Sequence, residues 1–197
     1  FAVTHGFPVV LKPDSGVGAG GTARVGSEAE LEAFAAVQNL EQHYFVEEYI
    51  EGELLSFDGL VDARGGLLFS SAMIFPLPIM TVANEDRNLY YYTLRSIPND
   101  LAEAGARALD AFDLRDSFFH FEFFRRRTSG ELYALEANFR PPGLLTTDMW
   151  NYTYDMDIYE KWAKALAGAG WQAPGERRYF VCYIARKHDR LYRHSHE

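Results

Sequence analysis

Two glutamates on neighbouring predicted strands are the first residues whose types and spacing could do chemistry. Residues 118–122 read Phe-Phe-His-Phe-Glu and residues 136–140 read Glu-Ala-Asn-Phe-Arg, with Thr-Ser-Gly at 128–130 between them. Aromatic and aliphatic residues on both sides of a turn predict an antiparallel hairpin. With the loop centred on Ser129, Glu122 and Glu136 lie directly opposite each other. Period-2 alternation then predicts a polar face with His120, Glu122, Glu136, Asn138 and Arg140, and a core face with Phe119, Phe121, Phe123, Tyr133, Leu135 and Phe139.

Two opposed carboxylates on a sheet repel each other unless a cation lies between them. Oxygen ligands of this kind suit Mg²⁺, which favours one or two carboxylates together with water and substrate phosphates. The pattern therefore favours a metal site that also holds phosphate. The other interpretation is an ordinary half-exposed sheet whose polar residues are simply solvated.

Composition and charge limit the class of protein. In 197 residues, 48% hydrophobic and 24% charged content is typical of a folded soluble protein rather than a disordered one. A net charge of −9 argues against nucleic acid or an anionic membrane as the main partner, and no apolar run is long enough to span a bilayer. The single cysteine, Cys182, lies in an apolar run, so we expect it to be buried in a strand and the protein to be cytoplasmic.

A glycine-rich loop follows the first predicted strand. Residues 7–12 form a short apolar run that ends at Lys12, residues 16–21 contain four glycines, and residues 22–25 predict a second strand. The glycines match the dinucleotide fingerprint formally, but the next helix begins only near Ser27, so no helix end lies behind the loop. What remains is a hairpin tip whose N–H groups could close over phosphates, with Lys12 as a point charge. The alternative is a flexible hairpin that binds nothing.

Further elements follow from the pattern of apolar residues and turn residues. We expect a helix from Ser27, where Ser27 and Glu30 have capping-box spacing, with Leu31, Phe34, Ala35 and Leu40 on its apolar side. The other predicted elements are a strand over 44–50, a hairpin of strands 54–61 and 67–75, a long loop over 76–98, a helix from Asn99 or Asp100 to Phe112, and a helix from Asp155 or Asp157 to Leu166.

Taken in order, these features resemble the ATP-grasp enzymes. The resemblance rests on residues 12–15 (Lys-Pro-Asp-Ser) with the glycine loop, residues 46–52 (Val-Glu-Glu-Tyr-Ile-Glu-Gly), the strand with Glu122, and residues 136–143 (Glu-Ala-Asn-Phe-Arg-Pro-Pro-Gly). Carboxylate-amine ligases and biotin-carboxylase-like members are the branch that the sequence is most similar to. The resemblance implies an α+β fold with a lid subdomain at 1–50, a catalytic subdomain at 51–197 and a nucleotide cleft between them. Because the chain begins at Phe1, we expect it to be a fragment that lacks an upstream domain.

The resemblance also implies roles for particular residues. Lys12 and the loop residues Ser15, Gly16, Gly18, Gly20 and Gly21 would contact the phosphates of ATP, and the hinge residues Glu47, Glu48, Tyr49 and Ile50 would hold adenine. Relatives place a ribose-binding carboxylate at the position of Leu54, so its neighbour Glu53 is the candidate here. Glu122, Glu136 and Asn138 would bind Mg²⁺, which Mn²⁺ could replace. Arg140 and Lys12 would be the catalytic residues.

The implied function is a ligase that uses ATP and Mg²⁺ to activate a carboxylate as an acyl-phosphate for attack by an amine or another nucleophile. The alternatives are activation of bicarbonate, as in biotin carboxylase or carbamoyl-phosphate synthase, and a module that binds ATP without chemistry. Expected partners are the small-molecule substrates, the upstream domain and, for a homodimer, a second copy. Three further residues have both a functional and a structural interpretation: His120, Asp58 and Arg95, whose guanidinium could clamp a substrate carboxylate.

Overall fold

The structure is a computed structural model that describes residues 1–16, 19–37 and 42–194. Gly18 of the expected phosphate loop and Leu40 of the expected helix lie outside the described residues. The described chain divides into two compact units. The first consists of the described part of Phe1–Glu51 together with Pro78–Arg87, and the second consists of Gly52–Leu77 and the described residues from Asn88 onward. The proposed roles of lid and catalytic subdomain stay predictions.

The first unit is a small antiparallel sheet with strand order β2-β1-β3. Val9, Leu11 and Val25 form its buried centre, and Leu31 and Phe34 of the following helix pack against them. That helix starts as its sequence predicts, because the Glu30 N–H donates to Ser27 Oγ at 3.3 Å and the Glu30 carboxylate accepts from the Gly26 N–H at 2.8 Å. The elements of this unit are α1 (Ala2–His5), β1 (Val9–Pro13), β2 (Ala23–Val25), α2 (Glu28–Val37), β3 (Tyr44–Glu48) and α3 (Ile79–Asn84).

The second unit is built on a six-stranded antiparallel sheet with strand order β8-β7-β4-β5-β6-β9. The long strands in its centre carry mainly aromatic and branched aliphatic residues, which suit a surface that is covered on both sides. The elements are β4 (Gly52–Val61), β5 (Leu67–Phe75), β6 (Tyr90–Thr93), α4 (Asn99–Phe112), β7 (Ser117–Arg126), β8 (Leu132–Asn138), α5 (Thr146–Tyr154), α6 (Ile158–Leu166) and β9 (Cys182–Ile184).

The two faces of this sheet differ in what covers them. On one face α4 packs Leu101, Ala104 and Leu109 onto Phe57 and the odd-numbered phenylalanines of β7. On the other face one end is covered by Trp150 and Ile158, which pack against Leu60, Phe69 and Phe118. The remainder of this second face carries polar side chains of β4, β7 and β8.

Most predicted elements are present within a residue or two of their predicted ends. Two expectations about residues 76–98 and Cys182 are wrong. Residues 76–98 are not one long loop, because they contain α3 and β6; Tyr91 of β6 is fully buried between the rings of Phe75 and Tyr183, so tertiary packing supplies what the local pattern lacks. Cys182 lies in a strand but is exposed, since β9 is the outermost strand of the sheet.

The Glu122 hairpin has the predicted pair and an unpredicted bulge. Glu122 lies opposite Glu136, which confirms the expected pairing, but the register shifts at the next residue so that Phe123 pairs with Ala134. Beyond this bulge the faces exchange, because one extra residue reverses the alternation. Tyr133 therefore lies opposite Phe124, with the Arg126 guanidinium over its ring at 4.3 Å, and its assignment to the core face is wrong.

In the described part of the chain, no helix has the length and apolar character needed to cross a membrane.

The packing of α4 onto the sheet predicts the effect of filling one gap. A methyl group at Gly105 would lie 2.1 Å from Cδ1 of the buried Phe57 ring. Alanine in a helix gains about 1 kcal/mol over glycine, but overpacking a core costs about 1–3 kcal/mol. We expect Gly105→Ala to lower the free energy of unfolding, measured by urea denaturation. Gly175→Ala, where the methyl group would meet no atom within 4 Å, is the control. A Gly105→Ala protein as stable as the parent would contradict this packing.

Candidate functional site

Six polar side chains form a grid on one face of the second unit's sheet. Strand pairing places Ser56, Glu122 and Glu136 in one row across β4, β7 and β8. Asp58, His120 and Asn138 form the next row. Since directly paired residues share a face and alternate residues return to it, all six belong to the same side. The sheet thus places two rows of oxygen and nitrogen groups next to each other.

A chain of hydrogen bonds joins the two rows. Asp58 is completely buried, and its Oδ1 lies 2.5 Å from Nδ1 of His120. The other nitrogen of His120, Nε2, lies 3.1 Å from Oε1 of Glu122. Ser56 Oγ donates to the remaining oxygen of Asp58 at 2.6 Å. His120 therefore connects a buried carboxylate to one that is nearer the surface.

The two carboxylates determine the charge on His120. Ionised carboxylates only accept hydrogen bonds, so a ring that donates to both must carry a proton on each nitrogen. Burial by itself would lower the pKa of His120, but the charges and hydrogen bonds of Asp58 and Glu122 outweigh it and raise that pKa to about 10. Burial raises the pKa of Asp58, and the neighbouring imidazolium opposes part of this rise. At neutral pH His120 is thus a cation between two acidic groups.

The predicted metal ligands lie at the open side of the grid. Glu136 is exposed, and its side chain makes no hydrogen bond or ion pair with any described residue. The second carboxylate oxygen of Glu122 is not used by the hydrogen bond to His120. Asn138 lies two residues after Glu136 on β8 and therefore on the same face. Two carboxylates and an amide oxygen are hard ligands that fit Mg²⁺ when water and phosphate complete its shell. No group of three or more His, Cys, Asp or Glu side chains suited to a metal occurs among the described residues, so the protein's part would be this smaller oxygen set.

Arg140 does not lie where the alternation predicts. Strand β8 ends at Asn138, and Arg140 is an exposed residue of the following bend. Its Nη1 donates to the Pro141 carbonyl at 3.0 Å. The expectation that Arg140 continues the polar face of the strand is wrong, because the Pro-Pro sequence after it cannot donate ladder hydrogen bonds.

Two of the predicted nucleotide-binding residues of the first unit form an ion pair. Lys12 Nζ is 2.6 Å from Glu47 Oε2, so the expected phosphate contact and the expected adenine contact are neighbours. In the loop between β1 and β2, Ser15, Gly16, Gly20 and Gly21 are all exposed. Gly21 has a φ of 73°, a left-handed value that glycine adopts without strain.

The hinge residues follow directly from β3. Glu48 is the last residue of this strand, and the Tyr49 N–H donates to the Pro8 carbonyl at 3.4 Å. The Arg24 guanidinium lies 4.8 Å from the centre of the Tyr49 ring, while Ile50 is half-buried. Glu53, the candidate ribose contact, belongs to the second unit and pairs with Arg125 across β4 and β7.

Comparison with known proteins identifies the family. The sequence matches the ATP-grasp domain over residues 5–148, so the chain belongs to the ATP-grasp family and has its α+β fold. This confirms the resemblance stated from the sequence motifs. No curated protein matches the chain.

Solved structures share the fold at low sequence identity. The biotin carboxylase domain of Hydrogenobacter thermophilus 2-oxoglutarate carboxylase, in complex with MgADP, ADP and bicarbonate, has a TM-score of 0.67 at 21% identity over 92% of this chain and 42% of that chain. N5-carboxyaminoimidazole synthetase from Staphylococcus aureus has a TM-score of 0.65 at 17% identity over 88% and 43%. L-amino acid ligase from Bacillus licheniformis has 0.62 at 18% over 81% and 39%. This chain therefore spans about two fifths of these proteins.

Asp58 is the residue whose importance the sequence understated. The sequence gives Asp58 both a functional and a structural interpretation, and the structure makes it the buried end of the chain of hydrogen bonds through His120 to Glu122. The signal was present as Ser56 and Asp58 at alternate positions within an otherwise apolar strand. Alternation alone could place them on one face, but it could not show which strand lies beside them.

The buried pair predicts strong coupling in a double-mutant cycle. His120→Gln leaves the Asp58 carboxylate buried without a cation, which costs about 3–5 kcal/mol. Because Asp58→Asn removes the charge that needs compensation, we expect the double variant to lose clearly less stability than the sum of the two single variants. Urea denaturation of the four proteins measures this.

An exposed ion pair provides the matched control. Asp113 and Arg115 are 2.6 Å apart with half or more of each side chain exposed, so the cycle of Asp113→Asn and Arg115→Gln should give a coupling of about 0–1 kcal/mol. Additive effects at Asp58 and His120, no larger than this control, would show that the buried bond has no special energetic role.

Proposed function

We propose that this chain is the nucleotide- and metal-binding part of an ATP-grasp ligase that activates a carboxylate as an acyl-phosphate. The observation that carries the proposal is the direct pairing of Glu122 and Glu136 on an open polar face, with Asn138 beside them. In an ATP-grasp chain, this oxygen set has the chemistry that Mg²⁺ and nucleotide phosphates require.

The second unit would hold the metal. Glu122, Glu136 and Asn138 would bind Mg²⁺, or Mn²⁺ in its place, and the bound ion would neutralise charge on the phosphate oxygens. The hydrogen bond from His120 holds one oxygen of Glu122, which leaves the other directed away from that bond. Asp58 in turn orients the imidazole ring from the buried side. A fixed carboxylate loses less freedom on binding a ligand than a mobile one does.

The first unit would hold the nucleotide. Lys12 now binds the Glu47 carboxylate, and a phosphate group would compete for the same ammonium. The loop residues Ser15, Gly16, Gly18, Gly20 and Gly21 would supply backbone N–H groups. Glu47 and the backbone from Glu48 to Ile50 would recognise adenine, and Glu53 of the second unit is our candidate for the ribose.

The proposed reaction has two steps. A substrate carboxylate oxygen attacks the γ-phosphorus of ATP, the bond from that phosphorus to the bridging oxygen breaks, and ADP leaves. An amine, or another nucleophile, then attacks the acyl carbon; phosphate leaves and the amine gives up a proton. Lys12 and Arg140 would stabilise the negative charge on the transferring group. No nucleophilic side chain is needed, because phosphoryl transfer depends mainly on positioning and charge neutralisation.

We also propose a domain organisation, an oligomeric state, substrates and a location for the whole protein. Since the chain spans 42% of the biotin carboxylase domain it resembles, we propose that a further domain takes part in substrate binding. That domain was crystallised as a dimer, and a homodimer is our proposal here as well. The proposed substrates, a small carboxylate and an amine, follow from the ligase chemistry. The cytoplasm is our proposal for the location, because the single cysteine cannot form a disulfide within the chain.

Removing one metal ligand should abolish nucleotide binding that depends on Mg²⁺. We expect Mg²⁺-ATP to raise the melting temperature of the chain and NAD to leave it unchanged, because only a ligand of the native state stabilises it. Glu136→Gln should lose the Mg²⁺-dependent part of this rise. Its own melting temperature should stay near that of the parent, since the Glu136 side chain is exposed and has no hydrogen-bond or ion-pair partner among the described residues.

Glu131→Gln is the matched control, because it removes the same charge from the same hairpin. It should keep the response to Mg²⁺-ATP. An equal loss in both variants would show that net charge, and not coordination at Glu136, determines the binding.

The reaction itself is tested by ADP release from the longest natural form of the protein. We expect ADP when a suitable carboxylate and amine are supplied together, and no turnover by the Glu136→Gln variant. ADP release with bicarbonate alone would replace the ligase with a carboxylase. Binding of Mg²⁺-ATP without ADP release under any condition would favour the non-catalytic module.

A further inference from the structure

Two arginines lie against the same aromatic ring in the second unit. The Arg95 guanidinium carbon is 5.7 Å from the centre of the Phe180 ring, and that of Arg177 is 5.9 Å from the same centre. Arg177 is also 5.9 Å from the Tyr154 ring. Arg95 follows β6 and Phe180 precedes β9, so residues far apart in sequence meet at this end of the sheet.

Backbone hydrogen bonds hold both segments in place. The Thr93 N–H donates to the Val181 carbonyl at 3.1 Å, and the Val181 N–H donates to Thr93 Oγ1 at 3.4 Å. The N–H groups of Arg178 and Tyr179 both donate to the Thr153 carbonyl, at 2.9 and 3.4 Å. The meeting of Arg95 and Arg177 is therefore a consequence of the fold, and not of two loose surface side chains.

Arg177 has donors that lack an acceptor. Its Nε and Nη2 are shielded from solvent and make no hydrogen bond in the described part of the chain. Buried guanidinium donors are normally paired, because losing water without gaining an acceptor is costly. Burial lowers the pKa of Arg177, and the charge of Arg95 lowers it further against the opposing effect of Tyr154. The neighbouring Arg178 differs, since its Nη1 binds Asp155 at 2.7 Å.

The geometry points to a binding site for an oxyanion, a carboxylate or phosphate group of a small molecule, formed by Arg177 and Arg95. Neither guanidinium has an acidic partner among the described residues, so the site holds two positive charges without a counter-ion. A guanidinium presents parallel N–H groups that match the oxygens of a carboxylate or a phosphate. Phe180 is 69% exposed, so its ring can move aside to admit the anion with little loss of buried area.

Binding at this site can be tested separately from the proposed reaction. It uses none of the residues assigned to ATP or Mg²⁺, and binding can be measured without nucleotide. A bound oxyanion would supply the acceptor that Arg177 lacks and would reduce the repulsion between the two guanidinium groups. A substrate or an effector with an acidic group could therefore be held here while its remainder lies outside the site.

The test is an NMR titration of the arginine Nε–H signals in the ¹⁵N-labelled chain. Sodium phosphate and sodium succinate are added separately at constant ionic strength with chloride as the background anion. The Arg177 signal, identified by its absence in Arg177→Lys, should shift and saturate with at least one of them. Arg177→Lys and Arg95→Gln should each weaken that affinity, followed on the remaining signals, by about tenfold, the size expected for loss of one charged hydrogen-bonding partner.

Arg178→Gln is the matched control, because it removes the same charge one residue away from a side chain that already has a partner. It should leave the affinity within about twofold of the parent. Saturation with succinate only would assign a carboxylate ligand, saturation with phosphate only a phosphate ligand, and saturation with both a general oxyanion site. No saturable shift with either anion, or an equal loss in Arg178→Gln, would overturn the proposal.

Discussion

A carboxylate with no access to water is the constraint on which the polar face of this protein depends. Asp58 is completely buried in the central strand β4, where an uncompensated charge would be costly. His120 meets that requirement from the neighbouring strand, and its second nitrogen reaches Glu122. One buried charge thus determines the position of an imidazole, and the imidazole determines the position of a carboxylate at the open side. The bond between Asp58 and His120 inside the sheet thereby holds in place the Glu122 carboxylate that a metal would bind.

The two faces of the sheet carry different kinds of side chain. Aromatic side chains at alternate positions of β7 pack under α4, so substitutions on that face change the packing of the hydrophobic core. The intervening positions carry His120 and Glu122, whose neighbours on β4 and β8 are also polar. The bulge after Glu122 lets the strands pair beyond the site in a different register without disturbing the glutamate pair. The face under α4 is thus a packed core, while the opposite face combines polar side chains with the cluster around Trp150.

Family membership and fold do not by themselves identify the substrate of this chain. The chain belongs to the ATP-grasp family, yet the solved structures that share its fold include a carboxylase domain, a ligase for amino acids and a synthetase. A fold used for several reactions cannot identify the substrate. Glu122, Glu136 and Asn138 are the residues on which the proposed use of Mg²⁺ depends. The arginine pair at Phe180 is an additional feature that belongs to this chain's own residues.

Local sequence was sufficient wherever a short period or a short turn determines structure. It predicted the strands other than β6, the capped helix α2 and the opposition of Glu122 and Glu136, because alternation and capping act over a few residues. It could not predict β6, the exposure of Cys182, the bulge that moves Tyr133 to the other face, or the end of β8 before Arg140. The bulge and the end of β8 depend on how two consecutive strands pair, which alternation does not specify. The presence of β6 and the exposure of Cys182 depend on the order and pairing of strands distant in sequence. The same holds for the bond from Asp58 to His120, which joins residues 62 positions apart and exists only because β4 and β7 are neighbours.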